Sequence, residues 1–238
     1  MARVYIGTSG WNYPHWKGIF YTKDLKESDW LKYYSQFFNC VEINVTFYRL
    51  VKEKTFKTWY ADTPEKFGFT VKGSRYITHI KRLKGVEKPL EVFLKSIVPL
   101  KEKLIALLWQ FPPNYKANIL ELEIFLKMLK LTGIRQVFEF RNDNCFNKDI
   151  FALLKKFRAC LCLADSSRYR LENQDLTDFY YLRLHGRGSL YKTNYSIQAL
   201  REYVRLIKKS KKDSFVFFNN DFNGFAVKNA LRFKKLLK

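Results

Sequence analysis

The chain has 238 residues and a mass of 28.6 kDa, which is enough to bury a large core in one large domain or two small ones. Its 44 Lys and Arg residues exceed its 22 Asp and Glu residues and give a formal net charge of +22. This excess favours anionic partners such as nucleic acid, phosphorylated metabolites or acidic membranes, and it does not specify a fold. Apolar residues make up 47% of the chain, a globular composition that excludes a disordered protein.

The positive charge is spread through the whole sequence, which excludes a detachable basic arm. No apolar run approaches the roughly 20 residues of a membrane helix, and residues 1–5 begin an alternating pattern without a signal-peptide core. The four cysteines show no metal-type spacing with the three histidines. We therefore expect a reduced, cytoplasmic protein that has no membrane partner.

Eight β-rich segments recur along the chain, and most are followed by a helical pattern. The predicted strands are Val4–Thr8, Val41–Asn44, Phe67–Lys72, Leu104–Gln110, Gln136–Arg141, Cys160–Ala164, Phe179–His185 and Phe215–Asn219. The predicted helices are Ser28–Phe38, Glu53–Ala61, Lys88–Leu100, Ile119–Leu131, Lys148–Phe157, Ser196–Lys209 and Phe225–Leu237. Between the sixth and seventh strands, Ser166–Asp178 is typical of a loop with at most one helical turn.

Eight strands that alternate with helices predict a (β/α)₈ TIM-like barrel in the α/β class, with the helix between strands six and seven reduced or missing. The competing architecture is a doubly wound open sheet, which often has a glycine-rich phosphate turn after its first strand. Here that turn is Gly7-Thr8-Ser9-Gly10, which matches neither the dinucleotide fingerprint nor a P-loop. No linker, low-complexity segment or close internal repeat interrupts the chain, so we predict a single domain over residues 1–238.

Polar residues collect at the C-terminal ends of the predicted strands, where the functional groups of a barrel lie. Strands two, five and seven each end in a polar–apolar–polar triplet, and a side-chain period of two places both polar residues on one face. These triplets and the other strand ends supply Glu42, Asn44, Lys72, Gln110, Glu139, Arg141, Asp165, Arg183, His185, Asn219 and Asn220. Isolated buried charges cost several kcal/mol, so these groups either bind a ligand or form a closed network that plugs the barrel.

Two histidines and several aromatic residues extend this predicted site. His79 and His185 are candidates for proton transfer near neutral pH, or else structural histidines that form hydrogen bonds. The aromatic loops include Trp11, Tyr13 and Tyr48, which can stack on a base or a sugar ring or simply pack the loops.

No cofactor or metal follows from the sequence. Four residues could converge on one ion, but Lys72, Arg141 and Arg183 would crowd the same space, which favours a site without metal. The four are Glu42, Glu139, Asp165 and His185. No serine or cysteine nucleophile motif is present either.

Several motifs together resemble the YecE-like family (domain of unknown function seventy-two), and the resemblance runs nearly from end to end. The segments that match are Ile6–Trp11 with Tyr13 and Trp16, Val41–Asn44, Thr46–Tyr48, Phe69 with Lys72, Thr78-His79, Gln110–Pro113, Glu139–Arg141, Asp165, Arg183–Arg187, and Phe218–Asp221 with Gly224, Ala226, Asn229 and Ala230. The resemblance implies a TIM barrel and supports these site positions, but it brings no reaction. Thr22 and Val51 stand where the family pattern has proline, and Cys145 where it has tryptophan.

The leading functional hypothesis is an enzyme that acts on an anionic substrate bearing phosphate or carboxylate, by hydrolytic or lyase-type acid–base chemistry. The general base would be Glu42 or Asp165, and the general acid His79 or His185. Three cations would bind the anion and Glu139 would orient Arg141 or Lys72, while the aromatic loops close the pocket. The cations are Lys72, Arg141 and Arg183.

Two alternative functions use the same observations. The net charge and the aromatic residues also fit a protein that binds nucleic acid without sequence specificity, or a nuclease or repair-like enzyme. A barrel that binds a small ligand without catalysis is the third hypothesis.

Overall fold

Strands and helices alternate along residues 2–238, the part of the chain that the computed structural model describes. The strands are β1 (Val4–Thr8), β2 (Cys40–Ile43), β3 (Gly68–Lys72), β4 (Leu104–Gln110), β5 (Arg135–Glu139), β6 (Cys160–Leu161), β7 (Leu163–Ser166), β8 (Phe179–Gly186) and β9 (Asp213–Phe218). The helices are α1 (Trp30–Phe37), α2 (Val45–Tyr48), α3 (Glu53–Ala61), α4 (Glu87–Ile97), α5 (Ile119–Lys130), α6 (Lys148–Lys156), α7 (Ile197–Ser210) and α8 (Phe225–Leu237).

All strand pairs are parallel, and they follow the orders β1-β9-β8-β7 and β2-β3-β4-β5-β6. β6 and β7 form one barrel strand interrupted at Cys162, whose N–H still donates to the carbonyl of Phe138 at 2.8 Å. The chain therefore has eight strand positions, and the predicted TIM-like fold is confirmed. As predicted, no helix lies between the sixth and seventh positions.

Side chains complete the barrel between β1 and β2, where no backbone ladder forms. The hydroxyl of Tyr34 accepts a hydrogen bond from the N–H of Thr8 at 2.8 Å and donates to the carbonyl of Cys40 at 3.1 Å. Nearer the bottom, the Asn39 amide bonds to both an N–H and a carbonyl of β1. The strands approach so closely that a Cβ on Gly7 would lie 2.2 Å from the carbonyl oxygen of Cys40.

The barrel interior has an apolar lower part and a charged upper layer. The lower part contains Cys40, Ala106, Leu108, Val137, Cys160, Cys162, Ala164, Phe179, Tyr181, Phe215 and Phe217. Above them, Glu42, Glu139 and Arg183 occupy the next inward positions near the C-terminal strand ends. Every second residue of a strand faces the barrel interior. The charged residues therefore face inward, because each lies two residues after an inward-facing residue of the lower part.

Several local features differ from the predicted elements. A four-residue helix, α2, follows β2 directly. β2 and β5 end one and two residues earlier than predicted, so Asn44 and Arg141 lie just beyond the strands.

The four cysteines are free and buried. None of the helices in the described part of the chain is long and apolar enough to cross a membrane.

Candidate functional site

A cavity of about 740 Å³ opens at the C-terminal end of the barrel, and we call it the mouth cavity. It lies among the ends of β2, β3, β4, β8 and β9 and the loops that follow the strands. Its lining residues are Tyr13, His15, Asn44, Phe47, Tyr48, Lys72, Arg75, His79, Gln110, Arg141, Arg183, Tyr191, Lys192, Asn219, Asp221 and Phe222. Most of the predicted site residues are in this set.

Arg183 links three barrel strands through two buried carboxylates. Its Nε and Nη2 atoms donate to the two carboxylate oxygens of Glu42 at 3.0 and 2.7 Å. Its Nη1 atom donates to Glu139 on β5. The Arg183 and Glu42 side chains are 1% and 0% exposed. Three ionised groups this deeply buried stabilise one another only because nearly every donor and acceptor is used.

Glu42 accepts hydrogen bonds from more groups than Arg183 alone. Ser9 donates to Oε1 at 2.8 Å, the Asn44 amide donates to the same oxygen at 3.2 Å, and Tyr181 donates to Oε2 at 2.7 Å. Burial would raise the pKa of Glu42. The charge of Arg183 and the hydrogen bonds from Arg183, Tyr181 and Ser9 instead hold this pKa below its ordinary value. The predicted role as a general base therefore conflicts with the local structure, which fits an anchor for Arg183.

Glu139 holds the other arginine of the mouth. Arg141 donates from Nε to Glu139 at 3.0 Å and stacks over the ring of Tyr169 at 4.7 Å. Burial would raise the pKa of Glu139, yet Arg183 and Arg141 hold it well below its ordinary value. Glu139 thus orients Arg141, which lines the mouth cavity.

His185 lies behind the cavity wall and is not part of its lining. It is 1% exposed, and its Nδ1 atom faces the amide nitrogen of Asn219 at 3.0 Å. Burial and the nearby Arg183 lower the pKa of His185, so the ring is neutral with its proton on Nε2, toward Glu139. This placement fits a packing and orienting role better than the predicted role of general acid.

Lys72 ends β3 on the floor of the mouth cavity. Its Nζ atom donates to the Gln110 side-chain oxygen at 2.8 Å and lies 3.9 Å from the centre of the Phe47 ring. Within residues 2–238 the amine forms no ion pair with a carboxylate. Burial and the charge of Arg183 outweigh the attraction of nearby carboxylates and lower the pKa of Lys72 to about 7.

His79 reaches the same floor through Gln110. Thr78 Oγ1 lies 2.9 Å from His79 Nδ1, and the Gln110 amide nitrogen lies 3.5 Å from Nε2. This pattern assigns the ring proton to Nδ1 and leaves the Nε2 lone pair toward the amide. Burial and the charge of Lys72 lower the pKa of His79 to about 4, so His79 is neutral at physiological pH.

Asp221 is a titratable group of the mouth cavity that sequence reasoning did not select as a site residue. Its carboxylate accepts a hydrogen bond from the Trp16 indole at 2.9 Å and lies 2.9 Å from His15 Nε2. Burial raises the pKa of Asp221 to about 6, against the opposing effects of Trp16 and His15.

The lining also contains two cations that the sequence analysis did not select, Arg75 and Lys192. Both lie in loops beyond the strand ends, where the strand pattern gives no signal.

Besides Glu42, Glu139 and His185, which lie behind the wall, three further predicted site residues lie outside the mouth cavity. Asp165 points outward toward α7, where it accepts hydrogen bonds from Arg187 at 2.9 Å and Tyr203 at 2.6 Å. This corrects its expected place among the inward groups, because the neighbouring Ala164 occupies the inward phase of β7. Asn220 is buried and donates to the carbonyl of Thr193 and to Asn229, so its position is structural. The third is Trp11.

Trp11 lines a second cavity of about 440 Å³ that adjoins the mouth cavity. The two cavities share Tyr13 and Asn44 in their walls. Trp11 meets Trp59 edge-to-face at 5.0 Å between ring centres. The remaining lining mixes aliphatic, polar and basic side chains and consists of Ser9, Gly10, Asn12, Ile43, Val45, Arg49, Leu50, Val51, Lys52 and Thr55.

The described residues contain no group of three or more His, Cys, Asp or Glu side chains that could hold a metal ion. The three carboxylates weighed as ligands are paired with arginines, and the fourth candidate, His185, lies 3.7 Å from Glu139. Glu42 and Glu139 bind Arg183, while Asp165 binds Arg187 on the outer face of the sheet.

The fold and the site define a TIM-barrel protein with a basic, partly charge-compensated mouth. The sequence matches the family described as "Protein of unknown function DUF72" over residues 5–238, so this chain belongs to that family. The match confirms the family resemblance inferred from the motifs.

The relatives are similar over different lengths of the chain. UPF0759 protein YunF of Bacillus subtilis (strain 168) is 27% identical, with 98% of this chain and 94% of that protein covered. UPF0759 protein YecE of Escherichia coli (strain K12) is 30% identical, with 47% of this chain and 39% of that protein covered.

Solved structures are similar over nearly the whole fold. A DUF72 family protein from Thermotoga maritima MSB8 has a TM-score of 0.87 and 31% identity, with 99% of each chain covered. A D-psicose 3-epimerase has a TM-score of 0.58 and 11% identity, with 92% of this chain and 85% of that chain covered. The epimerase likeness concerns the fold alone.

The Glu42→Gln variant should lower the stability of the fold. The new amide NH₂ would face donors from Arg183, Tyr181 or Ser9, and Arg183 would lose half of its compensating charge. Removing one member of a buried pair costs about 3–5 kcal/mol, which lowers the melting temperature by roughly 6–20 °C in a chain of this size. Thermal unfolding followed by circular dichroism measures the change.

Glu102→Gln is the matched control, because Glu102 is exposed and accepts a hydrogen bond from the Tyr60 hydroxyl. We expect its melting temperature to equal that of the native chain. An equally unchanged melting temperature for Glu42→Gln would contradict the anchoring role of Glu42 and restore it as a candidate base.

The Lys72→Met variant should change how stability depends on pH. Burial lowers the pKa of the folded amine to about 7, below its ordinary value of 10.5, so the unfolded chain binds up to one more proton between these pH values. Native stability should therefore rise with pH in this window relative to the variant, with a slope of at most about 1.4 kcal/mol per pH unit. Denaturant unfolding at pH 7, 8 and 9 measures the difference, and His79 stays neutral throughout this range.

Lys66→Met provides the control, since Lys66 is an exposed lysine in a turn. Its stability should follow the native profile at each pH. Parallel profiles for the native chain and Lys72→Met would show that the buried amine is not destabilised in its charged form.

Proposed function

We propose that this protein is an enzyme that binds a phosphate- or carboxylate-bearing substrate in the mouth cavity and transforms it by acid–base chemistry of the hydrolytic or lyase type. One observation supports this proposal above the others. The cavity is lined by five cationic side chains and by groups whose pKa values lie near neutrality. Perturbed titratable groups gathered in one cleft are typical of functional sites.

The charges of the mouth favour an anion. Five cations face three carboxylates, of which Glu42 and Glu139 lie behind the wall and Asp221 lies in it. Arg75 and Lys192 are exposed and form no ion pair within residues 2–238. They therefore provide charge that a substrate anion can compensate, and Arg141 adds an oriented guanidinium.

Lys72, His79 and Asp221 provide the acid–base chemistry in this proposal. Lys72 and Asp221 have pKa values of about 7 and about 6, so both forms of each group are populated near neutral pH. A catalytic group with a pKa close to the working pH transfers protons most effectively. His79 is neutral and offers its Nε2 lone pair beside Gln110.

The second cavity provides room for the rest of the substrate. Its tryptophan and aliphatic walls suit an apolar or ring-shaped portion, and Asn44 and Tyr13 lie at the junction. A substrate with an anionic end and an apolar end would fill both spaces.

Removing the uncompensated cations should weaken anion binding. We expect Arg75→Met and Lys192→Met each to weaken the binding of inorganic phosphate or citrate roughly two- to fivefold, as for exposed ion pairs. Titration calorimetry at low ionic strength measures the dissociation constants.

The control is Arg232→Met, which removes the same charge from an exposed position on α8. Its anion affinity should stay native. If the three variants lose affinity equally, general surface charge explains the binding and the mouth cavity is not the anion site.

A screen of phosphorylated and carboxylated compounds tests for catalysis. We expect it to identify a compound that the native protein converts. Lys72→Met and His79→Asn should abolish this turnover, and Arg232→Met should keep it. A compound that binds in the mouth and is never transformed would favour a non-catalytic binder.

A nucleic-acid-binding protein is the second candidate, and the net charge of +22 favours it. The densest basic runs lie at the C-terminal ends of α7 and α8, at Lys208–Lys212 and Arg232–Lys238. Cations at these positions also interact favourably with the helix dipole, which is the simpler explanation for them.

We expect weak binding of random duplex and single-stranded oligonucleotides that falls steeply between low and physiological salt, because phosphate contacts release counterions. Fluorescence anisotropy across a salt series measures the slope. No binding at low salt would exclude this candidate, whereas tight binding that survives high salt would point to recognition of bases.

A further inference from the structure

The amine of Lys72 combines burial, access to the mouth cavity and the lack of a carboxylate partner. Its side chain is 8% exposed, and its Nζ atom has one hydrogen-bond acceptor, the Gln110 oxygen, among the described residues. The face of the Phe47 ring covers it on another side. The ring face attracts the charged amine, but among the described residues no carboxylate pairs with it, so burial and the neighbouring guanidinium groups oppose its protonated form.

The nearest carboxylates are already paired with other cations. Glu42 binds Arg183, and Glu139 binds both Arg183 and Arg141. A protonated Lys72 would be a third cation beside two carboxylates, consistent with its pKa of about 7. A substantial fraction of the amine is therefore neutral at pH 7 and has a free lone pair, which makes it a nucleophile toward carbonyl carbon.

We propose that Lys72 forms an imine with a carbonyl group of the substrate, which narrows the substrate class to oxo acids and phosphorylated aldehydes or ketones. The proposal rests on the proposed function, because the cations of the mouth hold the anionic end while the carbonyl group reaches the cavity floor. Nζ attacks the carbonyl carbon and forms a C–N bond. The carbonyl oxygen and the two amine protons then leave as one water molecule, and the C=N bond forms.

The imine activates the bond next to the former carbonyl carbon. Once protonated, it withdraws electrons from the neighbouring carbon, so a C–C or C–H bond there breaks more easily. Addition of water later restores the carbonyl compound and the free amine. Lys72 would then take part in a lyase-type reaction as a covalent catalyst, in addition to binding the substrate or transferring a proton.

Lys103 is a matched lysine within the same chain. It is also buried, at 4% exposed, but its Nζ atom donates to the carbonyls of Tyr60 and Thr63 at 2.6 and 2.7 Å and to the Thr63 hydroxyl at 3.2 Å. It lines neither the mouth cavity nor the second cavity. Burial without access to ligand space should leave Lys103 unreactive.

Reductive trapping tests the proposal on the full-length chain. The native protein is incubated with pyruvate or dihydroxyacetone phosphate and sodium cyanoborohydride at neutral pH, and peptide mass spectrometry locates the reduced adducts. We expect the adduct at residue 72 to exceed the adduct at the exposed Lys66 at least about tenfold, as for a lysine activated by its surroundings. Lys103 should carry none, and excess inorganic phosphate should suppress the adduct at residue 72.

The outcomes separate this proposal from the proposed function. Phosphate binding that depends on Arg75, without an adduct at Lys72, overturns the imine and leaves the anion site standing. An adduct at Lys72 without such phosphate binding supports the imine and overturns the anion site. Adducts spread evenly over the surface lysines overturn the imine as well. The mapping uses the native chain, so it does not depend on the folding of a variant.

Discussion

Arg183 crosses the interior of the barrel and binds one carboxylate on β2 and another on β5, so a single side chain ties three non-adjacent strands together. Every oxygen of Glu42 receives at least two donors. A buried network of this kind is stable only when it is complete, because an unpaired ion in the same place costs several kcal/mol. The network therefore fixes the relative positions of the strand ends that carry the site.

The same network determines the electrostatics above it. Since Arg183 and Arg141 already use both carboxylates, Lys72 has only an amide oxygen and an aromatic face. His79 is then kept neutral by burial and by the charge of Lys72. The closed network of salt bridges and the candidate binding site therefore consist of different residues. Arg183, Glu42 and Glu139 form the closed network, whereas Lys72 and Gln110 lie beside it and line the mouth cavity.

Much of the architecture could be predicted from the sequence because it depends on local periodicity. Strand and helix positions agree within a few residues, and the loop without a helix was predicted from Ser166–Asp178. The inward phase of β2, β5 and β8 was also accessible, since each corresponding predicted strand ends in a polar–apolar–polar triplet. Tyr181, a donor to Glu42, shares the phase of Arg183 and could have been selected by the same rule.

Asp165 shows where periodicity stops being informative. The segment Cys160–Asp165 is apolar at both phases until its last residue, so the pattern cannot choose which phase faces inward. The strand is also interrupted at Cys162.

The loop cations Arg75 and Lys192 could not be predicted for another reason. The path of a loop after a strand end depends on tertiary packing, and it leaves no periodic pattern in the sequence.

Lys72 and Lys103 show that acceptor atoms, and not burial alone, determine what a buried lysine can do. Both are more than nine-tenths buried. Three oxygen atoms surround the amine of Lys103, and they offset part of the burial that lowers the pKa of this lysine. Lys72 has one oxygen and a π face as partners, and two nearby guanidinium groups oppose its charge, so its pKa falls to about 7 and both forms are populated near neutral pH. Because Arg183 binds the carboxylates that could change this balance, the amine of Lys72 faces the mouth cavity without a carboxylate partner among the described residues.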